Sequence, residues 1–303
     1  MRRWIFAVGT VASLIPAAAA AAAGALAPAK QLEPTTAWRL DYGAERCSLA
    51  QQYGAGQDAV LLQIDSYGSR DEFVLTLAGR AIPRSLQPIM TGGFRFPGDP
   101  AGREARFFRG TDSTGGQSAA SFLVKFLPYE EYERRHKIKD KDQLKLLSEQ
   151  PEKTYPDYER QVTAIAVAFD SGTARQLNVH DLVAPLKALR KCVDSLDQSW
   201  GVDPSIQSTL SRPAVLDEND IPRLVSAYPQ NMLRSEQSAL VLMRMSIDAS
   251  GKPTSCVIQV PVVDPALKTA ICRNLVHFKP ALDREGKPVA SVYTNTVVFR
   301  IPT

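Results

Sequence analysis

Between Trp38 and about Asp170, apolar and polar positions alternate over short runs separated by turn residues. Runs rich in β-branched and aromatic residues at Ala59 to Ile64, Glu72 to Leu77, Ala105 to Arg109, Ser121 to Leu127 and Val162 to Phe169 predict an antiparallel sheet. The period then changes. Leu182, Leu186, Leu189, Val193, Leu196 and Trp200 recur at spacings of 4, 3, 4, 3 and 4, which places them on one face of a helix. Pro185 is tolerated only in the first turn, so the helix is expected to start near Val183 and to stop at Gly201. Its apolar stripe predicts that it covers the sheet. Asp203-Pro204 and the Ser-rich stretch to Pro213 read as the start of a linker.

Beyond Pro222 the pattern is that of a second, smaller unit. A short helix candidate through Met232 to Arg234 precedes a strand from Leu240 to Asp248, in which Val241, Met243, Met245 and Ile247 alternate with Leu242, Arg244 and Ser246. Asp248 to Lys252 closes a hairpin, with Gly251 free to take positive φ, and the return strand runs from Thr254 to Val260. Asp264 caps a helix with Pro265 at its first position and a stripe of Leu267, Ala270, Ile271 and Leu275. A last strand is expected from Val292 to Ile301. The chain as a whole is therefore expected to be α+β, with a β-rich domain at 35–205 covered by the long helix, a linker at 206–219 and a small αββαβ domain at 220–303.

The first residues lie outside that plan. Met1-Arg2-Arg3, the apolar run Trp4 to Ile15 and the alanine stretch ending Ala25-Leu26-Ala27 read as a secretory signal over residues 1–27. The competing reading is an uncleaved anchor, since Trp4 to Ala29 is uncharged and long enough to cross a bilayer. Its weakly apolar alanines favour removal. Export would place the protein in the periplasm, where an even number of cysteines implies disulfides. Four cysteines allow three connectivities, and the domain layout favours Cys47 with Cys192 and Cys256 with Cys272.

Charge and chemistry narrow the function classes. Lys and Arg total 36 against 32 Asp and Glu, and this surplus of +4 is too small for a polyanion binder, so no nucleic-acid partner is expected. Three histidines and four cysteines stand at no zinc-ligand spacing, and no phosphate- or dinucleotide-binding glycine motif occurs, so neither metal nor cofactor is expected. Between Tyr129 and Arg160 nine acidic residues nearly cancel eight basic ones, which suggests a solvated excursion. One motif is enzyme-like. Val167 to Thr173 carries the hydrophobic-Asp-Ser-Gly-Thr pattern in which a strand delivers an aspartate into a turn, and a homodimeric aspartic hydrolase would use Asp170. A second such motif is absent from the chain, and ordinary turn chemistry accounts for the residues.

Tyr228-Pro229, the strand ending Ile247-Asp248 with Gly251, the helix Asp264 to Leu275, Phe278 to Ala281, Gly286 to Val289 and Val297 to Phe299 form an ordered set. In this order the segment resembles the C-terminal domain of TonB, the periplasmic energy transducer of outer-membrane transport. The resemblance spans roughly Pro222 to Pro302. It implies capture of an extended peptide from an envelope protein or outer-membrane receptor by strand addition at the last strand, which makes Val292, Tyr293, Thr294, Asn295, Thr296, Val297, Val298 and Phe299 the candidate binding residues. Ten basic residues against six acidic ones from Asp220 to Thr303 give this part a local positive surplus. The expected function is a non-enzymatic exported binding or adaptor protein. An anchored energy transducer is the alternative within the family, and here a folded domain replaces the long Pro-rich spacer of such a transducer.

Overall fold

The computed structural model describes residues 29–85, 89–111, 117–226, 228–234, 239–259 and 265–299. The signal or anchor expected at 1–27 lies outside them, as do 300–303. A single mixed sheet of ten strands dominates the chain. Its strands are β1 (Lys30–Leu32), β2 (Arg39–Tyr42), β3 (Cys47–Tyr53), β4 (Val60–Ser66), β5 (Glu72–Gly79), β6 (Ile89–Arg95), β7 (Arg103–Thr111), β8 (Ser118–Lys125), β9 (Ile165–Phe169) and β10 (Ala174–Leu177). They lie in the order β1-β10-β9-β6-β7-β8-β5-β4-β3-β2. All neighbours are antiparallel except β1 and β10.

Alternation along the strands explains the core. Val60, Leu62 and Ile64 of β4, Phe73, Leu75 and Leu77 of β5, and Phe122 and Val124 of β8 all enter one buried cluster. Phe94, Phe107, Phe122 and Phe169 join it, with successive ring centroids 4.7 to 5.2 Å apart. The sheet curls around these rings. The chain leaving β1 reaches back to the far side of the sheet, where Thr35 N donates to Gln52 O at 2.8 Å and Gly54 N donates to Glu33 O at 3.0 Å.

This curling corrects the expectation of a β-rich domain covered by a long helix. The helix α4 (Val183–Ser199) buries Leu186, Leu189, Val193 and Leu196, but it lies against β3 and β2 at one margin of the sheet. A sheet that wraps around its own side chains fills its interior from within and leaves no broad face for a helix to cover. The charged excursion forms α1 (Tyr129–Lys137), α2 (Lys141–Ser148) and α3 (Pro156–Glu159), and neither α1 nor α2 buries a residue.

The αββαβ layout does not describe the C-terminal segment either. After α5 (Pro204–Gln207) come β11 (Val215–Leu216), α6 (Asp220–Ser226), α7 (Gln230–Arg234), β12 (Ala239–Ile247), β13 (Pro253–Ile258), α8 (Pro265–Asn274), β14 (Phe278–Lys279), β15 (Ala281–Leu282), β16 (Pro288–Val289) and β17 (Ser291–Phe299). Between α8 and β17 the chain forms short ladders that the expected layout lacks: β14 pairs with β11, and β15 pairs with β16. Pairs of two residues are too short for any alternation to reveal. The stretch read as a linker is folded, with Leu210 and Ala214 in the second buried cluster.

Strand β12 is the middle of a three-stranded antiparallel sheet ordered β13-β12-β17. Val241, Met243, Met245 and Ile247 pack with Leu267 and Ile271 of α8 and with Leu275 just beyond it. Its other face meets the large sheet, where Leu242 packs with Tyr67 and Val74, and Arg244 makes two hydrogen bonds to Glu45 at 2.9 and 3.0 Å under the Trp200 ring. At the β12–β13 hairpin the Asp248 carboxylate accepts from the backbone N–H groups of Ser250 and Lys252. Gly251 has φ of +87°, and a Cβ there would lie 2.3 Å from the carbonyl oxygen of Phe278. Gly251→Ala is expected to cost about 2 kcal/mol or more, from left-handed strain together with the clash. Urea unfolding measures it, and an unchanged midpoint would show that the turn relaxes freely.

Two disulfides join elements in the two halves: Cys47 of β3 to Cys192 of α4, and Cys256 of β13 to Cys272 of α8. They indicate an oxidising, extracytoplasmic environment. Among the described residues no helix is long and apolar enough to cross a membrane.

Candidate functional site

Strand β17 is an edge strand, paired with β12 from Ser291↔Ile247 to Phe299↔Ala239. Alternate residues turn their backbone groups toward β12, and the rest face outward. Val292, Thr294 and Thr296 are of the second kind. At Val292 the outward groups are taken by a side chain of α5: Gln207 Nε2 donates to Val292 O at 3.1 Å, and Val292 N donates to Gln207 Oε1 at 3.3 Å. At Thr296 the outward N–H donates to Asn295 Oδ1 at 2.7 Å. Both devices blunt an edge that would otherwise invite pairing. Thr294 lies between them, and its outward N–H and C=O make no hydrogen bond to a described residue.

Of the other expected binding residues, Tyr293 points into the second core, its ring 5.0 Å from that of Phe278 and its hydroxyl accepting from Asn295 Nδ2 at 2.7 Å. Burial pushes that hydroxyl up to about 12. Val297, Val298 and Phe299 continue the ladder with Val241, Leu240 and Ala239. From Val292 to Thr296 successive side chains alternate between opposite faces of the strand.

The outward edge borders a cleft of about 610 Å³ between the two sheets. One wall is Val292 to Thr296; facing it are Glu72, Val74, Leu123 and Lys125 on the outside of β5 and β8, the end of α2 at Leu147 and Ser148, and Gln150, Pro151, Glu152 and Thr154 of the strap that follows it. Gly68 (φ +106°) permits the close approach, since a Cβ there would lie 3.0 Å from Thr294 Cγ2 and 2.9 Å from the Trp200 ring.

Charges gather on the facing wall. Lys125 Nζ donates to both oxygens of Asp71 at 3.1 Å and lies 3.7 Å from Glu72. Glu152 of the strap accepts from the backbone N–H of Arg70 at 2.7 Å. Although Glu152 keeps a side open to solvent, the protein packed around its carboxyl, and after that the Asp71 carboxylate, raise it above the usual carboxylate range. Burial raises Glu72 in the same way, and Asp71 adds to it. The nearby arginines are spent elsewhere: Arg70 on Asp194 and Asp197 at 2.9 and 2.5 Å, and Arg190 on buried Glu159 at 2.5 and 3.1 Å. Charge balance along 129–160 suggested a solvated excursion, whereas Glu152 and Glu159 are both drawn into this network. Neighbours distant in sequence decided that, and no local signal marks them.

Asp170 stands exposed at the tip of the β9–β10 hairpin, whose turn is closed by Phe169 N to Thr173 O at 2.9 Å with Gly172 at φ +86°. Its backbone N–H donates to Thr91 O at 3.1 Å, and its carboxylate accepts from the Thr91 hydroxyl. Among the described residues no group of three or more His, Cys, Asp or Glu is placed to hold a metal ion. In comparisons with known proteins, no family model, no curated protein and no solved structure matches the chain.

Proposed function

We propose that the protein is a non-enzymatic periplasmic binding or adaptor protein that captures an extended peptide of an envelope partner by adding it as a strand beside β17. The observation that carries this reading is the open backbone of Thr294 on an edge strand, flanked by two capped positions and opening on a cleft large enough for a peptide. Main-chain hydrogen bonds supply affinity in this mode, and the cleft walls supply selectivity. The TonB-like order of motifs from Tyr228 to Phe299 supports the same edge, and the disulfides support export.

Thr294→Pro tests the reading. Proline is accepted on an edge strand where the lost N–H faces away from the ladder, so the fold is expected to survive. Retention of random nonapeptides from solution on the immobilised protein is expected to fall about tenfold, the equivalent of roughly 1.4 kcal/mol for a lost backbone hydrogen bond and its blocked neighbour. Unchanged retention with an unchanged unfolding midpoint would remove β17 as the docking edge.

A further inference from the structure

We infer that the segment received at the β17 edge carries a lysine or arginine side chain, which the acidic wall of the cleft accepts. The inference rests on the docking edge proposed above and names what that edge selects. Glu72 and Glu152 line the cleft on the facing wall, and the ammonium beside them, that of Lys125, is held by Asp71, which lies outside the cleft lining. Asp71 takes both of the short contacts from Lys125, and Glu72 is left with a contact at 3.7 Å. Glu152 is met by neutral donors, the backbone N–H of Arg70 at 2.7 Å and the Ser69 side chain. Arg70 and Arg190 also line the cleft, but their guanidinium groups are engaged by Asp194, Asp197 and Glu159.

A second observation is independent of the carboxylates. Gln259 lines the same cleft and is 8% exposed. Its Nε2 donates to Glu45 O and Tyr67 O, both at 3.1 Å, while its Oε1 is buried without a partner. A buried acceptor left unpaired costs free energy until a donor arrives. Carboxylates short of cations and an amide oxygen short of a donor ask for the same chemistry: a group rich in N–H and positively charged. The raised pKa values of Glu72 and Glu152 agree, since a nearby cation would lower them. Lysine and arginine meet these needs on long apolar stems, which pass Val74 and Leu123 on the same wall. An acidic or purely apolar segment would leave the wall uncompensated.

The test uses two pools of nonapeptides, randomised at every position except the centre, which is lysine in one and the isosteric uncharged norleucine in the other. The full exported protein is immobilised, and retained peptide is quantified by mass spectrometry. About tenfold greater retention of the lysine pool is expected, as for one charge-assisted hydrogen bond, with arginine at the centre behaving alike. In the Glu72→Gln, Glu152→Gln double variant the ratio is expected to fall toward one while norleucine peptides bind as before. Equal retention of both pools, abolished by Thr294→Pro, would overturn this inference and leave the docking edge standing. A lysine preference that survives the double variant, or that survives Thr294→Pro, would also overturn it, the latter by exposing nonspecific attraction. Retention of neither pool would overturn the docking edge and this inference with it.

Discussion

Arg103→Met is expected to lower the unfolding free energy by about 3–5 kcal/mol, the largest effect of any single substitution considered for this chain. Arg103 opens β7 and is 0% exposed. Its guanidinium donates to both oxygens of Asp99 at 2.8 Å, to Leu127 O at 2.9 Å and to the Tyr158 hydroxyl at 2.8 Å. Phe96 and Tyr132 face it at 4.8 and 5.0 Å from their centroids, with Tyr129, Phe94 and Tyr158 within 5.9 Å. Methionine keeps much of the volume but leaves the Asp99 carboxylate, 2% exposed, without its cation. The penalty is dominated by that stranded charge rather than by the lost attraction. Adding Asp99→Asn to Arg103→Met is therefore expected to recover part of the loss. Urea unfolding of the two variants decides it: a single-variant loss under about 1 kcal/mol would mean the pair is not sealed from water.

The second large effect is covalent. The Cys47–Cys192 bridge closes a separation of 145 residues, and the Cys256–Cys272 bridge one of 16. In the chain-entropy account a loop of about 100 residues contributes roughly 4.7 kcal/mol and a loop of about 15 roughly 3 kcal/mol, by restricting the unfolded chain. Replacing Cys47 and Cys192 together by alanine is thus expected to cost about 5 kcal/mol, and the shorter bridge about 3. The order of the two losses is the informative result. A larger loss from the short bridge would show that native packing, not loop closure, sets the contribution. The long bridge also ties α4 to the first residue of β3, at the end of that strand opposite the contacts Thr35 to Gln52 and Gly54 to Glu33.

Some features were legible locally because they depend on a few residues near one another in the chain. The stripe from Leu182 to Leu196 marks the helix Val183–Ser199, and Asp248 with Gly251 marks the β12–β13 hairpin, because helix periodicity and turn chemistry act over a handful of residues. The cysteine pairing followed from which segments belong together. The pattern of β5 and β8 marked them as strands, in which Phe73 and Phe122 face one way and Val74 and Leu123 the other. It did not foretell that both faces would be covered, the inner by the curled sheet and the outer in part by Leu242 of the second unit. Arg103 shows the same divide, since nothing beside it in sequence marks it for burial, and the aromatic side chains around it leave it 0% exposed.

The amino-acid pattern by itself marked several of the longer strands, the helices Val183–Ser199 and Pro265–Asn274, the hairpin turn and the residues able to bridge. Tertiary structure alone decided the curl of the ten strands, the place of α4 at their margin, and the cleft in which Thr294, Glu72, Glu152 and Gln259 meet. The reason is range. Periodicity and turn chemistry are energies of neighbours in sequence, whereas strand order, closure and the meeting of two sheets depend on contacts between residues as much as about 200 positions apart, such as Glu45 with Arg244, whose energies no local window contains.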